Sequence, residues 1–219
     1  MSNYVISGAG RGIGLELCRQ LSKRGESVIA LCRQSNSDLV ELGVRTIEGI
    51  DVTSDESMGK LASELEGVSV DVLINNAGVL NRETLDDLNF DSIRQQFEIN
   101  SLGPLRLSST VLPRLGEGGK IAIVTSRMGS ITDNGSGSRY GYRASKAAVN
   151  IIGVSLARDL ESQGISVALL HPGMVSTDMT GHSGIDVSEA ASGLIARIDG
   201  LNIANSGTFW HANGEVLPW

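Results

Sequence analysis

The 219-residue chain has little of several features that mark particular classes of protein. It contains only two cysteines, Cys18 and Cys32, which are too few for a disulfide scaffold and lack the spacing of metal ligands, so we expect two reduced, buried thiols and no bound metal. No uninterrupted apolar run approaches the ~20 residues that span a membrane. The N-terminal residues lack the basic segment and the apolar stretch of a secretory signal. We therefore expect a cytoplasmic protein that does not associate with a membrane.

Basic charge is also scarce. The chain has 18 Lys and Arg against 25 Asp and Glu, which gives a formal net charge of −7. This acidic balance gives no support for binding nucleic acid. Hydrophobic residues make up 41% and charged residues 20% of the chain, as is usual for a globular protein. The length, without an internal repeat or a Pro/Ser-rich linker, predicts a single domain over residues 1–219.

Patterns typical of strands and helices alternate along the chain. Short, partly β-branched apolar runs predict strands at residues 4–7, 27–32, 44–50, 70–74, 120–125, 165–170 and 208–211. Apolar residues at helical spacing predict a helix after the first strand and further helices at 36–42, 54–66, 90–115, 140–163 and 186–199, with Pro104 bending the helix at 90–115. This alternation predicts a single-domain α/β fold: a doubly wound, Rossmann-like parallel sheet of about seven strands with helices on both faces. Such sheets bind ligands at the carboxyl ends of their strands.

A glycine-rich turn follows the first predicted strand. Its sequence, Ser7-Gly8-Ala-Gly-Arg-Gly12-Ile-Gly14, has the spacing G-x-x-x-G-x-G and opens the first helix. Glycines let the backbone turn tightly, and the free N–H groups and dipole of a helix N-terminus favour the negative charge of a diphosphate. A turn without a ligand is the alternative, but the position after the first strand of a doubly wound pattern favours a dinucleotide site.

The end of the second strand bears on which dinucleotide is bound. Sites for NAD usually carry an acidic residue there, which holds the ribose 2′-hydroxyl. This chain has Arg33 instead, and Arg11 lies in the glycine turn that faces the same pocket. Because two guanidinium groups suit a 2′-phosphate, we predict NADP(H) in preference to NAD(H). Alternatively, Arg33 is a solvated surface charge. We expect the carboxylate of Asp51 and the backbone of Val52 to contact the adenine. Alternatively, Asp51 is a helix cap or a turn residue.

Tyr142 and Lys146, on the second long helix, are candidates for proton transfer. They lie four residues apart and therefore on one face of the helix, although such a pair alone is also typical of an ordinary helix surface. A phenol loses its proton near pH ~10, and a cation one turn away favours the phenolate, so we expect a lowered Tyr142 pKa and an acid or base usable near neutral pH. Ser126, at the end of the fifth strand, directs a hydroxyl toward the same crevice.

These motifs occur in the order and approximate spacing of the short-chain dehydrogenase/reductase family, which the chain resembles from residue 4 to about residue 180. The resemblance rests on the glycine turn, on Ser126 and on the pair Tyr142-x-x-x-Lys146. The stretches 126–146 and 171–179 and the ending at 214–219 further resemble a subgroup, the C-factor and Sniffer-like carbonyl reductases. The other matching elements are Asp51-Val52, Asn75-Asn-Ala-Gly78, Asn100 and Pro172-Gly173.

The resemblance implies a role for each matching residue. Tyr142 would donate or accept the proton, and Lys146 would lower the pKa of Tyr142 and hold the nicotinamide ribose. Ser126 would stabilise charge on the substrate oxygen, and Asn100 would hold a water that links Lys146 to solvent. No residue is expected to bind a metal. The residues expected to bind the cofactor are Ser7, Gly8, Arg11, Gly12, Ile13, Gly14, Arg33, Asp51, Val52, Asn76, Ala77, Gly78, Tyr142, Lys146, Pro172, Gly173, Val175 and Thr177.

The chain departs from the family pattern in two places. Ser126 lies 16 residues before Tyr142, a longer separation than is usual, and the additional residues form a flexible loop at 133–138, so Ser130 is a rival for the serine role. We prefer Ser126 because it ends the strand directly. The chain is also short after Met179, where the substrate-covering segment of the family lies, which predicts an open, permissive site.

The sequence thus predicts an NADP(H)-dependent oxidoreductase that moves a hydride between a nicotinamide and a small-molecule carbonyl or alcohol. Two alternatives stay open: a dinucleotide-binding signalling protein of the C-factor type, and a reductase of pteridine-like heterocycles. The presence together of Ser126, Tyr142 and Lys146 favours the enzyme. The two long helices carry apolar residues on more than one face, such as Ile151 and Ile152, and family members often associate through these helices, so we expect a homodimer or a homotetramer.

Overall fold

All seven strands lie side by side in one parallel sheet. The computed structural model describes residues 1–219, and its strands are β1 (Asn3–Ser7), β2 (Ser27–Leu31), β3 (Arg45–Ile47), β4 (Val70–Asn75), β5 (Leu115–Val124), β6 (Ser166–His171) and β7 (Thr208–His211). Their spatial order is β3-β2-β1-β4-β5-β6-β7, and every neighbouring pair is parallel. The predicted doubly wound sheet of about seven strands is confirmed, although β3 is shorter than the predicted 44–50.

Helices cover both faces of this sheet. They are α1 (Gly12–Lys23), α2 (Ser37–Leu42), α3 (Asp55–Glu64), α4 (Phe90–Phe97), α5 (Gly103–Val111), α6 (Tyr140–Leu160) and α7 (Val187–Asp199). Successive strand residues point to opposite faces. Ile6 therefore packs with Leu17 of α1 and Leu194 of α7, whereas Val5 packs in a second cluster with Val149 of α6. None of the helices combines the length and apolarity needed to cross a membrane.

The ends of most helices follow from local side-chain chemistry. Asn36, Ser54, Asn89 and Asp186 each accept a hydrogen bond from the first turn of the helix that they precede. Such caps satisfy backbone N–H groups that have no partner within the helix. The helix α1 is different, because Arg11 at its N-cap position makes no side-chain hydrogen bond to it.

The helix predicted at 90–115 is interrupted. The structure passes from α4 into a π-helical turn, Glu98–Leu102, and then into α5. The Gly103 N–H bonds to the carbonyl of Glu98, five residues back. Pro104 has no backbone hydrogen, so it cannot donate the usual bond to the carbonyl of Asn100. The bend expected at Pro104 is therefore a widened turn just before it, and Asn100 lies in the middle of that turn.

Candidate active site

The glycine turn between β1 and α1 lies at the carboxyl edge of the sheet. Gly8 and Gly12 adopt φ angles of +65° and +54°, which favour glycine. A Cβ atom at Gly8 would lie 2.8 Å from the Cα of Ala77, and one at Gly14 would lie 2.2 Å from the carbonyl oxygen of Gly8. The turn therefore has no room for larger side chains at these positions.

Ser7 and Asn76 join this turn to the one that follows β4. The Ser7 Oγ accepts hydrogen bonds from the N–H groups of Asn76 and Ala77, at 3.0 and 3.2 Å. The Asn76 Nδ2 donates to the carbonyls of Ser7 and Gly8, at 3.1 and 3.2 Å. Strands β1 and β4 are neighbours at the point where the strand order reverses. Doubly wound sheets bind their ligands in the crevice at this point.

The N-terminus of α1 offers unpaired donors to this crevice. The first N–H groups of a helix, here those of Gly12, Ile13 and Gly14, have no partner within the helix. No side chain caps them, and the first turn of α1 contains no acidic residue. The helix dipole adds a partial positive charge at the same place. These donors and the space left by the glycines fit the diphosphate of a dinucleotide.

Arg33 and Arg11 lie near this turn but differ in their partners. The Asn36 Nδ2 donates to the carbonyl of Gly10 at 2.5 Å, which holds the segment after β2 against the glycine turn. In that segment Arg33 is exposed, and no ion pair includes it. The Arg11 Nη1 lies 3.4 Å from the Asp178 carboxylate, and both side chains are largely exposed. Such a pair contributes little stability, so both guanidinium groups can accept an anion.

Asp51 has a role in its own turn. Its Oδ1 accepts hydrogen bonds from the backbone N–H and the hydroxyl of Thr53, at 2.9 and 2.8 Å. These bonds, and to a lesser extent the charge of Arg33, hold the pKa of Asp51 below its usual value. Oδ1 of Asp51 therefore stabilises the turn, as the alternative prediction for this residue had it, while Oδ2 makes no hydrogen bond within the protein. The neighbouring Val52 is buried, and a Cβ at Gly103 would lie 2.8 Å from its Cγ2.

Beyond the β4 turn, the predicted catalytic side chains are buried close together. The Lys146 Nζ donates to the carbonyl of Val124 at 2.9 Å and lies 5.8 Å from the ring centroid of Tyr142. A Cβ at Gly78 would lie 3.2 Å from the Asn100 Oδ1 and 3.7 Å from the Lys146 Nζ. The structure thus brings the Tyr142 and Lys146 pair of α6 together with two side chains that are distant in the sequence, Asn100 and Ser126.

The Asn100 side chain is engaged within the protein. Its Oδ1 accepts from the N–H of Val79, and its Nδ2 donates to the Val79 carbonyl and to the Ser145 Oγ, at 2.8, 2.8 and 3.0 Å. Both amide hydrogens are therefore used. The Asn100 carbonyl, by contrast, lacks its usual donor because Pro104 has no N–H. The carbonyl of Asn100 is therefore a candidate acceptor for a water molecule.

Two serines follow β5 in different surroundings. Ser126 comes two residues after the strand, its Oγ accepts from the Met128 N–H at 3.1 Å, and its hydroxyl is close enough to lower the pKa of Tyr142. Ser130 is also buried, but its Oγ accepts from the N–H of Asp133 at 3.0 Å, within the following loop. The geometry therefore favours Ser126 over Ser130 as the serine beside the phenol.

Burial dominates the proton affinities of Tyr142 and Lys146. It raises the pKa of Tyr142, and the lowering by Ser126 is smaller. It also lowers the pKa of Lys146 to about 8, because the buried ammonium has lost its hydration. The expectation of a lowered Tyr142 pKa is therefore wrong for this structure. At neutral pH the phenol keeps its proton, which is the form that a general acid needs.

The buried ammonium predicts a stabilising substitution, Lys146→Met. Lysine in an unfolded chain has a pKa of about 10.4, so a folded pKa of about 8 costs about 3 kcal/mol of stability below pH 8. In Lys146→Met the Val124 carbonyl loses its hydrogen-bond donor, which offsets about 1 kcal/mol of the stability gained by removing the buried ammonium. We expect a net gain of about 2 kcal/mol in the free energy of unfolding at neutral pH, together with loss of activity.

The pH dependence gives the control for this prediction. Between the two pKa values the unfolded lysine binds more protons than the folded one, so Lys146 makes wild-type stability rise with pH from about 8 to about 10.4. The buried Cys18 and Cys32 thiols, whose pKa values are raised by burial, oppose this rise equally in every variant. Denaturant unfolding at both ends of this window should show that the stability advantage of Lys146→Met over the wild type, and over the exposed control Lys23→Met, shrinks by about 3 kcal/mol as the pH rises. Equal stability and equal slopes in all three proteins would contradict the prediction.

The loop after β6 reaches the same edge of the sheet. Gly173 adopts a φ of +89°, and Val175 is buried and bridges to Ile185. A Cβ at Gly12 would lie 3.4 Å from the Cγ2 of Thr177, so this loop borders the glycine turn. Pro172, Gly173, Val175 and Thr177, which are predicted to bind the cofactor, therefore belong to a loop that borders the glycine turn.

Several buried polar residues of this region were not predicted from the sequence. Gln96 and Ser145 are fully buried, and Glu83 is 2% exposed. One signal was available: Ser92, Gln96 and Asn100 recur at every fourth residue, which places three polar side chains on one helical face.

The fold and this site define an oxidoreductase of a known family. Residues 2–188 match the short chain dehydrogenase family, and the chain belongs to it. The chain is 47% identical over 226 aligned positions to the 1-hydroxy-2-glutathionyl-2-methyl-3-butene dehydrogenase of Rhodococcus sp. (strain AD45), and the match covers 100% of both chains. It is 45% identical over 154 positions to the C-signal protein of Myxococcus xanthus, covering 68% of this chain and 93% of that one.

Solved structures give the same assignment. The carbonyl reductase Sniffer of D. melanogaster superposes with a TM-score of 0.94 at 29% identity over 100% of both chains. A carbonyl reductase of Pseudomonas aeruginosa PAO1 in complex with NADP superposes with a TM-score of 0.86 at 32% identity, again over 100% of both chains. The predicted resemblance to the C-factor and Sniffer-like subgroup is confirmed by these relatives.

Proposed function

We propose that this chain is an NADP(H)-dependent oxidoreductase that interconverts a carbonyl and an alcohol, with residues 1–219 acting as one domain. The observation that carries the proposal is the convergence of Ser126, Tyr142 and Lys146, all buried, beside the glycine turn at the carboxyl edge of the sheet. The nicotinamide supplies the hydride when bound. The protein then has to bind the cofactor, orient the carbonyl and supply a proton.

In the proposed reaction the Tyr142 hydroxyl gives its proton to the substrate oxygen during reduction and takes it back during oxidation. The Ser126 hydroxyl donates a hydrogen bond to the same oxygen and stabilises the charge that develops there. The Lys146 ammonium holds the nicotinamide ribose and favours the phenolate left after proton transfer. The Asn100 carbonyl holds a water molecule through which Lys146 exchanges protons with solvent.

The cofactor is proposed to lie across the crevice at the carboxyl edge. The N–H groups at the start of α1 would hold the diphosphate, and Asp51 and Val52 would contact the adenine. The turn after β4, with Asn76, Ala77 and Gly78, would line the adenosine ribose. The loop after β6 would frame the nicotinamide.

A preference for NADP(H) is proposed from the free guanidinium group of Arg33 and the weakly paired one of Arg11. The NADP complex of the Pseudomonas carbonyl reductase supports the same cofactor. We expect NADPH to raise the melting temperature of the wild type more than NADH does, since a ligand at ~100 times its Kd adds about 2.7 kcal/mol. In Arg33→Asp the NADPH shift should fall to the NADH value or below, because a charged hydrogen bond contributes about 1.5–3 kcal/mol.

Arg158→Asp is the control for this experiment. Arg158 is also exposed and free of ion pairs, but it lies in the last turn of α6, at the opposite edge of the sheet. Its replacement should leave both shifts unchanged. An unchanged preference in Arg33→Asp, or a larger NADH shift in the wild type, would contradict the assignment.

A second candidate substrate class is an alcohol that carries a glutathionyl group. It is favoured by the 47% identity, over the full length, to the Rhodococcus dehydrogenase whose name describes such a compound. Comparing oxidation of glutathione adducts of small alcohols with reduction of simple aldehydes and ketones separates the two substrate classes. Cofactor binding without turnover in either assay would favour the signalling alternative, to which the C-signal relative points.

We also propose that the protein forms a homodimer or a homotetramer through α5 and α6. Ile151 is 63% exposed, and it borders a groove with Leu105, Ile152 and Leu156. Burying this apolar face against a second copy would remove it from water. Light scattering at micromolar concentration should give the mass of a dimer or tetramer, and a monomer would refute the proposal.

A further inference from the structure

The segment that follows β4, residues 79–83, is hydrogen-bonded to one face of α4 and the π turn. Two residues of extended chain advance about 6.6 Å, and four residues of helix advance about 6 Å. Alternate residues of the segment can therefore meet every fourth residue of the helix. The resulting pairs are Val79 with Asn100, Asn81 with Gln96, and Glu83 with both Gln96 and Ser92.

Glu83 ends this ladder inside the protein. Its Oε1 accepts hydrogen bonds from the Ser92 hydroxyl at 2.9 Å and from the Gln96 Nε2 at 2.5 Å. Its Oε2 accepts from the backbone N–H of Gly141 at 3.3 Å, and its carbonyl accepts from that of Arg139 at 2.8 Å. A buried carboxylate needs such donors to offset its lost hydration. The donors come from α4, which leads into the turn that holds Asn100, and from the start of α6, which carries Tyr142 and Lys146.

The start of α6 has no cap of its own. Arg139 at the N-cap position adopts a left-handed conformation and makes no side-chain hydrogen bond, and the first turn of α6 contains no acidic residue. Glu83 supplies from a distant segment both an acceptor for an unpaired N–H group and a negative charge at the helix N-terminus. The N–H that it binds belongs to Gly141, the residue directly before Tyr142.

Close packing reinforces this connection. A Cβ at Gly141 would lie 2.4 Å from the Gln96 Nε2 and 3.0 Å from the Cα of Ile93, so α4 and α6 are in direct contact here. Gln96 is fully buried, and its amide links the N–H of Asn81 to the carboxylate of Glu83. A change at Glu83 or Gln96 is therefore transmitted to the first turn of α6.

We propose that Glu83 and Gln96 are positioning residues that cap α6 and hold Tyr142 at its place in the site. They act through the backbone of α6 and touch neither substrate nor cofactor. The inference rests on the proposed function, because it assigns Tyr142 a task that depends on its position.

Exchanging the donors and acceptors of this pair tests the proposal. In Glu83→Gln one carboxylate oxygen becomes an NH₂ group, which faces either the Gly141 N–H or the Gln96 NH₂, so a donor meets a donor. The double variant Glu83→Gln/Gln96→Glu restores the pattern. The new amide oxygen accepts from Gly141, its NH₂ donates to the new carboxylate, and that carboxylate still accepts from Asn81.

We expect Glu83→Gln to lower kcat for carbonyl reduction at least about tenfold, since a displacement of about 1 Å can cost about a hundredfold. KM for NADPH should change less than kcat does, because the glycine turn that would hold the diphosphate is untouched. The double variant should recover kcat to within about threefold of the wild type. Gln95→Glu, an exposed neighbour on α4, is the matched control and should behave as the wild type.

Hydrogen exchange of the Gly141 amide gives a readout independent of activity. It should be slow in the wild type, faster in Glu83→Gln and slow again in the double variant. If Glu83→Gln does not fold, the double variant decides, because it should fold and turn over. A wild-type kcat in Glu83→Gln, or a folded double variant no faster than the single one, would overturn the proposal. Slow Gly141 exchange in a wild type that reduces no carbonyl would count against the proposed function and leave the cap in place.

Discussion

Tyr142→Phe is expected to lower the turnover of a carbonyl substrate with NADPH by about 10²–10⁴-fold, the contribution usual for a positioned general acid. The substitution removes one buried oxygen and leaves the ring that packs near Lys146. Because burial raises the pKa of Tyr142, the phenol is the protonated form at neutral pH, and phenylalanine has no proton to give. The NADPH-induced melting shift should stay close to that of the wild type.

The chain contains a matched control for this variant. Tyr140 lies two residues earlier, at the start of the same helix, and is 38% exposed. Tyr140→Phe should keep turnover within about twofold of the wild type, because exposed substitutions away from a site change energies by less than about 0.5 kcal/mol. Steady-state kinetics under saturating NADPH compare the two variants. Tyr142→Phe with near wild-type kcat would remove Tyr142 from the proposed mechanism.

The second large effect is expected for Ser126→Ala, with a loss of kcat of about 10²–10³-fold. A donor aimed at the oxygen where charge develops contributes about this much. The Ser126 hydroxyl lies beside the Tyr142 phenol, and the Ser130 hydroxyl is engaged by the N–H of Asp133. Ser130→Ala should therefore reduce stability by about 1 kcal/mol and leave kcat within about threefold.

Each serine variant is the control for the other, because both side chains are buried and both substitutions remove the hydroxyl oxygen. Melting curves show whether either variant loses its fold, and kcat is compared only between folded proteins. Near full turnover in Ser126→Ala with a large loss in Ser130→Ala would reverse the assignment. The longer spacing between Ser126 and Tyr142 would then mark a shifted catalytic serine.

The order of strands and helices could be predicted from the sequence because its signals are local. Gly43 and Gly164 end α2 and the turn after α6 with positive φ angles, and Asn36 and Ser54 cap the helices that they precede. The pattern of β-branched runs between them left little choice of fold class. The glycine turn and Tyr142 were recognisable for the same reason, since their spacing within one element is what the chemistry requires.

The features that were missed depend on tertiary contacts. The π turn around Asn100 precedes Pro104, and the Asn100 side chain is held by hydrogen bonds with Val79, which is 21 residues away. The sequence places Lys146 near Tyr142 but gives no measure of the burial that reverses the expected pKa shift. Glu83 looks like an ordinary loop acid until its donors are assembled from α4 and α6.

Hydride transfer between NADP(H) and a carbonyl or alcohol, with Tyr142 as the proton donor, is the activity that we propose for this chain. An assay of this activity follows the oxidation of NADPH by its absorbance with a panel of aldehydes and ketones. In the reverse direction it follows the formation of NADPH from NADP⁺ with the corresponding alcohols and glutathione adducts. We predict turnover that is faster with NADP(H) than with NAD(H) and that depends on the protein. Binding of NADPH without turnover of any carbonyl or alcohol in the panel would contradict the claim.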